Sequence, residues 1–230
     1  IRLDTTHLSG TGTISAIGTG SGAVEYDGVG RTKPEIVAND SATSYSTAQV
    51  SAAATLLLGV ANSRGMGNAF RPEVMKAILM AGATKQEFAT WERTMSQPID
   101  YIYGAGEMNV QNSYHILVGG KASSGSVAGH HGWDRSTLPT GGETVYTLKL
   151  GNDVSEFSVM LNWNRKIIAA PWLGGGSHNE SIADMLLEFH RLDNGVPVLL
   201  DSSNSSIDNL EHLYLRGLAA GSYTITVKTD

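Results

Sequence analysis

The order of apolar and polar residues divides the chain into a helix-rich first part and a strand-rich second part. Residues 47–62 are apolar on nearly every face and contain no charged side chain, which predicts a helix buried inside a larger core. Residues 71–81 carry one apolar stripe and predict a second helix. A shorter helix is predicted over 85–95, and another over 110–118. The first 30 residues, rich in Gly, Ser and Thr, predict loops with one or two short strands.

Beyond residue 140 the hydrophobic period changes from that of a helix to that of a strand. Apolar and polar residues alternate in five segments: 145–150, 156–163, 185–190, 213–216 and 222–227. Several short strands at this spacing, separated by turn clusters such as Asp193-Asn194-Gly195, predict an antiparallel β-sandwich. The Gly- and Ser-rich stretch 119–132 indicates a linker. We therefore expect two domains, an α/β domain over residues 1–120 and an all-β domain over residues 121–230.

Composition excludes several classes of function. The net charge of −6 argues against a nucleic-acid partner, which requires a basic face. No apolar run approaches the roughly 20 residues that span a bilayer, so no membrane partner is expected. The absence of cysteine excludes disulfides, thiol nucleophiles and thiolate zinc sites.

The candidate catalytic residue is Ser44, which lies between a short strand-like run, Ile36-Val37-Ala38, and the long apolar helix. A hydroxyl at the start of a helix lies beside free backbone N–H groups and the positive end of the helix dipole. That setting suits a nucleophile whose reaction develops negative charge. The alternative is that Ser44 is an ordinary N-cap residue of a buried helix.

Two blocks around Ser44 carry a resemblance to a known family. Residues 33–38 read K-P-E-I-V-A, and residues 42–54 read A-T-S-Y-S-T-A-Q-V-S-A-A-A. Together they resemble the serine block of the subtilisin-like serine proteases (subtilases), K-P-D-I-V-A-P followed by G-T-S-M-A-T-P-x-V-A-G-A-A-A-L-L. The chain departs from this signature at Ala42, where the family has Gly, and at Ala48, where it has Pro. The G-A-G turn at 104–106, ahead of the last predicted helix, is similar to a later element of the family.

The resemblance implies an α/β fold with a parallel sheet and an endopeptidase that cleaves protein or peptide substrates. It makes Ser44 the nucleophile, with its backbone N–H as half of the oxyanion hole. In subtilases the catalytic Asp, the His and the oxyanion Asn lie far before the serine, whereas only 43 residues precede Ser44 here. Asp4 and His7 have the right order, but they are too close in sequence to replace groups that the family delivers from separate strands.

We therefore expect the chain to be the C-terminal portion of such a protease, inactive in isolation because it lacks the Asp, the His and the oxyanion Asn. The expected partners are the missing N-terminal half of the protease or a second copy of the chain, either of which would cover the apolar helix over 47–62.

The strand-rich part resembles the pre-peptidase-type C-terminal sandwich of secreted bacterial proteases. The resemblance rests on Leu161-Asn162-Trp163, Asp184-Met185-Leu186-Leu187, Glu211 and a closing Gly-Ser-Tyr at 221–223. It implies a secreted or cell-surface protein of bacterial origin.

Other constellations leave alternatives open. No cofactor is expected, although calcium is an open alternative at four loop carboxylates: Asp184, Asp193, Asp201 and Asp208. The adjacent His130 and His131 do not converge on one metal in regular backbone geometry and are expected to be solvated linker residues. A non-catalytic, protease-like binding or cell-surface module is the main alternative function. A third is a structural scaffold in which the sandwich is the functional part, with carbohydrate as one candidate ligand. Trp133, Trp163 and Trp172 could stack on sugars if they are exposed, although core packing is the expectation for Trp163.

Overall fold

The computed structural model describes residues 32–40, 42–86, 88–169 and 178–229, with the backbone alone at 167–169 and 178–181. Asp4, His7, Trp172 and the loops expected over the first 30 residues lie outside this range. Most of the regular structure in the described residues is β-strand in antiparallel sheets, accompanied by few helices. None of the described helices has the length and apolar character that crossing a bilayer requires.

Helices occupy the first part of the described chain: α1 Thr43–Ser63, a 3-10 helix Gly67–Phe70, α2 Pro72–Ala81 and α3 Val110–Gly119. The helices predicted over 47–62, 71–81 and 110–118 are confirmed. The expectation that the first of them is buried all round is wrong, because among the described residues α1 buries one face, formed by Ser46, Ala53, Leu57 and Ala61. Pro72 occupies the first position of α2, where its missing N–H is no loss. The side chain of Asn109 caps α3 by accepting a hydrogen bond from the Asn112 N–H at 3.0 Å.

The helix predicted over 85–95 is wrong for the described residues of that segment, which form turns and irregular structure. The backbone N–H groups of Phe88 and Trp91 donate to carbonyls three residues earlier, as in turns, and two other polar groups of the segment bond to the loop at 100–104. The Glu92 N–H donates to the Asp100 carboxylate at 3.0 Å, and the Trp91 indole N–H donates to the Gly104 carbonyl at 2.8 Å. Local sequence favoured a helix, but these contacts between distant segments decide the conformation.

The helices pack around a first hydrophobic core. Buried side chains come from α1 (Ala53, Leu57, Ala61), α2 (Val74, Met75, Ile78, Leu79, Met80), α3 (Leu117) and two later residues, Trp133 and Leu210. The extended segment Ile36–Val37 contributes Ile36 to this core and pairs with Gly104 and Glu107 through isolated bridges. The parallel sheet expected for an α/β core is not shown among the described residues of 32–119.

The second part contains nine strands in the described residues: β1 Val127–Ala128, β2 Glu143–Leu150, β3 Val154–Asn162, β4 Lys166–Ala169, β5 His178–Ser181, β6 Met185–Asp193, β7 Val196–Ser203, β8 Leu210–Leu218 and β9 Gly221–Thr229. They form a five-stranded sheet in the order β1-β2-β9-β6-β7 and two pairs, β3-β8 and β4-β5. A second hydrophobic core joins β2, β6, β8 and β9. At its centre Phe189 stacks on Phe157 and on Tyr223, with ring centres 4.5 Å and 5.2 Å apart. This arrangement is consistent with a β-sandwich, and all five predicted alternating segments lie largely within strands.

Strand β7 was not predicted, because Pro197 interrupts its apolar run. It follows β6 through a two-residue turn, Asn194-Gly195, in which both residues have positive φ, 53° and 83°, as in a type I′ hairpin. The register pairs Leu192 with Pro197 at a position that exchanges no hydrogen bonds in such a hairpin. The ring nitrogen of Pro197 therefore faces the open edge of the sheet.

Strand β8 lies between the two cores, and its first four residues are all buried. Leu210 packs in the helical core and Leu213 in the sandwich core. Hydrogen bonds also join the helical part to the β part. The Asn162 side-chain amide donates to the Glu73 carbonyl at 2.9 Å, and the Asn204 backbone N–H donates to the Met95 carbonyl at 2.7 Å. The two parts are thus packed directly against each other.

Candidate functional site

Ser44 is the second residue of α1, directly after Ala42 and Thr43. Its side chain is exposed, as is that of Tyr45, whereas Ser46 is completely buried. Ala42 has an extended backbone, φ −146° and ψ 148°, and provides no side-chain cap. The helix therefore begins abruptly at the serine block, and Ser44 lies on the surface at its positive end.

The loop before Ser44 is fastened to the helix that follows it. The Ser46 hydroxyl donates to the Ala38 carbonyl at 3.1 Å, and the Gln49 amide donates to the Asp40 carboxylate at 2.8 Å. The Val37 N–H donates to the Gly106 carbonyl at 3.1 Å, which anchors the extended segment ahead of the loop. Ser44 is consequently presented from a fixed helix end rather than from a free loop.

Some backbone N–H groups in the first turn of α1 make no hydrogen bond to the described residues. The N–H groups of Tyr45 and Ser46 donate to the Ala42 carbonyl. Those of Thr43 and Ser44 have no acceptor in the part of the chain that the structure describes, as expected for the first turn of a helix. These two N–H groups could donate hydrogen bonds to an oxyanion bound beside Ser44.

The partners that would activate Ser44 are not brought to it by the described residues. Its hydroxyl makes no hydrogen bond to any of them. Asp4 and His7, the two candidates that sequence order allowed, lie outside the described range. A serine without a base keeps its proton near neutral pH, and the described residues supply Ser44 with no such base.

Glu35, in the block before Ser44, is tied down by lysines. It forms ion pairs with Lys33 and, at 2.6 Å, with Lys76 of α2. Burial raises the pKa of Glu35, but the attraction of Lys76 and then of Lys33 outweighs it, so the pKa lies below its usual value. The carboxylate is therefore ionised and structural, and it fixes the extended segment to α2.

A groove that the sequence did not reveal runs along the junction between the two parts. Two neighbouring cavities of about 280 and 600 Å³ share Trp91 and Tyr214. The rings of these residues meet edge to face, with centres 5.3 Å apart. Charged groups border the groove: Arg216 on one side, and the Arg93–Asp201 ion pair on the other. The groove thus combines an aromatic floor with polar walls.

Beneath the groove lies a buried lysine, Lys85, which is only 1% exposed. Its Nζ lies 4.6 Å from the centre of the Tyr214 ring and donates to the Ala83 carbonyl at 3.0 Å. Burial lowers the pKa of Lys85 to about 7, although the charge of Glu156 acts in the opposite direction. Burial, then the positive charges of Lys85 and Arg93, also lower the pKa of the fully buried His212.

The four calcium candidates make separate contacts. Asp193 pairs with Arg191 at 2.8 Å in the β6–β7 hairpin, and Asp201 pairs with Arg93. Asp208 is buried and accepts hydrogen bonds from the Thr32 N–H at 2.8 Å and from the Ser205 hydroxyl at 3.0 Å. Asp184 has one buried oxygen without a partner among the described residues. No group of three or more His, Asp or Glu side chains arranged for a metal occurs in the described part of the chain.

Glu211, noted in the sequence as part of the sandwich resemblance, is completely buried. It accepts hydrogen bonds from the Ser203 hydroxyl and, at 2.7 Å, from the Ser205 N–H. Burial raises the pKa of Glu211 to about 8, and the nearby Asp208 and Asp184 add to the effect, while the two hydrogen bonds oppose it. Its carboxyl is therefore largely protonated at pH 7.

No protein-family model matches this chain, and no curated protein sequence resembles it closely enough to count as a match.

Proposed function

We propose that this chain is the C-terminal portion of a subtilisin-like serine endopeptidase, with Ser44 as the nucleophile and the α/β core completed by residues outside the described range. The observation that carries the proposal is the exposure of Ser44 at the abrupt start of α1, beside N–H groups that have no acceptor among the described residues. The order of the serine block, the helices and the appended β-strands supports the same assignment.

The proposal accounts for an otherwise unusual helix. Strand-like Ile36–Val37 leads into α1, which has no charged residue and still leaves Leu56 66% exposed. In the proposed enzyme the preceding part of the protease, or a second copy of the chain, covers this face. That preceding part also supplies the general base, the residue that orients it and the second oxyanion donor. The enzyme is proposed to be secreted or on the cell surface of a bacterium.

The test is labelling with a fluorophosphonate probe, which reacts with an activated serine. We expect no labelling of the 230-residue chain alone, and labelling of Ser44, located by peptide mass spectrometry, in the polypeptide that includes the preceding protease region. Ser44→Ala should abolish labelling. Ser51→Ala, at an exposed serine on the same helix, is the matched control. Labelling of Ser44 in the isolated chain would contradict the missing base, and an unlabelled longer polypeptide would contradict the nucleophile.

A second candidate function, ligand binding without catalysis, is favoured by the groove at the junction. Trp91 and Tyr214 line the groove. Their rings can stack on the aromatic, apolar or sugar groups of an extended peptide or oligosaccharide. Titration with unstructured peptides and, separately, with soluble oligosaccharides can be followed by tryptophan fluorescence. A saturable change that is lost in Trp91→Phe but kept in Trp133→Phe supports this function, whereas no change with either ligand class refutes it.

A further inference from the structure

The stretch that the sequence indicated as a solvated linker is packed against the end of α3. Trp133 is only 9% exposed, its indole N–H donates to the Leu117 carbonyl at 3.1 Å, and its backbone N–H donates to the Gly120 carbonyl at 3.0 Å. A Cβ on Gly119 would lie 2.3 Å from the His131 carbonyl oxygen, so only glycine permits this approach. His131 is therefore held at a defined place beside α3.

This packing brings His131 to a second histidine. His115, one turn before the end of α3, has its ring centre 5.8 Å from that of His131, with the two planes inclined at 40°. Both side chains are exposed, so an ion can reach them from solvent.

We propose that His115 and His131 together bind one divalent transition-metal ion of the class that prefers imidazole, Zn²⁺, Ni²⁺ or Cu²⁺, with water completing its coordination. Imidazole nitrogens bind Zn²⁺ at about 2.1 Å in tetrahedral geometry, which places two ligand rings roughly 5 to 6 Å apart, centre to centre. The observed ring-centre separation of 5.8 Å lies within this range.

The position of the two histidines on α3 also favours a bound cation. Both rings lie at the C-terminal end of α3, where the last carbonyl groups and the helix dipole favour a cation. An ion held by both residues links α3 to the segment that leads into the strands, so it joins the helical part to the β part. The site is independent of Ser44 and of the proposed protease function.

The experiment is a titration of the whole chain with Zn²⁺ by isothermal calorimetry, with Mg²⁺ as the negative control. Imidazole NMR resonances, assigned by mutation, identify the ligands. We expect one saturable Zn²⁺ site whose affinity falls at least about tenfold in His115→Ala and in His131→Ala, because even changes outside the ligand shell cost 10–100-fold. His130→Ala should keep the wild-type affinity and serves as the matched control.

Two outcomes would overturn the proposal. One is the absence of saturable binding up to roughly millimolar Zn²⁺, a concentration at which even a weak two-imidazole site is occupied. The other is an unchanged affinity in both single variants, which would place the ion elsewhere. Circular dichroism of each variant establishes that it is folded. The direct NMR shifts of the His115 and His131 ring protons in the wild-type chain keep the test valid if a variant is not.

Discussion

Replacing the buried Lys85 by methionine should remove a specific part of the pH dependence of stability. Lys85 is 1% exposed and has a pKa of about 7 in the folded chain, against 10.5 for a free lysine side chain. Between these two values the unfolded chain binds more protons than the folded chain. The free energy of unfolding therefore rises with pH across this window. The stabilisation is complete above pH 10.5 and is lost as the pH falls through 7.

The magnitude follows from the same two values. A tenfold change in proton affinity corresponds to about 1.4 kcal/mol, so the full window from about 7 to 10.5 is worth on the order of 5 kcal/mol. Lys85→Met retains an unbranched, apolar stem of similar length. It loses the hydrogen bond to the Ala83 carbonyl and the contacts of Nζ with the Trp91 and Tyr214 rings. At pH 7 and below the variant should be more stable than wild type, because no charge has to be buried.

The assay is urea unfolding of wild type and Lys85→Met at several pH values from 7 to 10, followed by tryptophan fluorescence. Subtracting one stability profile from the other cancels the contribution of all other titrating groups. We expect the difference to change by about 1.4 kcal/mol per pH unit in the middle of the window. Lys149→Met, at an exposed position of β2, controls for the loss of one positive charge. A difference profile that is flat from pH 7 to 10 would refute the reasoning.

Three further predictions use stability measurements. The pKa of Glu211 is about 8 in the folded chain and 4.5 for a free carboxyl, so this group lowers the free energy of unfolding of wild type as the pH rises from 4.5 through 8. Glu211→Gln should remove that contribution. Equal urea midpoints of the two proteins at pH 9 would contradict this. Gly104→Ala should cost more than about 2 kcal/mol, since φ is 59° and its Cβ would lie 2.4 Å from the Pro34 carbonyl. Gly125→Ala, at φ 77° but in open space, should cost only about 1 kcal/mol in the same thermal melts. Leu57→Ala should lose about 2–5 kcal/mol, whereas its neighbour Leu56→Ala, 66% exposed, should lose less than about 0.5; similar losses would show that α1 is packed differently.

Elements with a strong local period were predictable from the sequence. The uncharged apolar run gave α1, and alternation gave β2, β3, β6, β8 and β9, because burial on one or both faces leaves a direct mark on residue order. Segments that depend on distant partners were not predictable. Residues 85–95 are shaped by Asp100 and Gly104, and β7 carries a proline that is tolerated only because the strand lies at an edge.

The same distinction applies to the sites. Ser44 could be singled out because the residues that carry the resemblance are its immediate neighbours. The pairing of His115 with His131, and the placement of Lys85 under Tyr214, depend on packing between separate elements. The local sequence around these residues gives no sign of either contact. The one available sequence signal for the histidine pair was Gly119. The reason that position requires glycine, the close approach of the His131 carbonyl, is visible only in the folded chain.

The proline of β7 has a consequence for how this chain behaves among its own copies. The hairpin leaves Val196, Val198 and Leu200 more than 40% exposed on a strand whose outer edge is paired with no other described strand. Exposed apolar edge strands of this kind favour aggregation. A strand from another molecule that paired along this edge would receive no hydrogen bond at Pro197, because its ring nitrogen carries no hydrogen. Pro197 therefore acts against edge-to-edge assembly at a strand whose exposed side chains are apolar.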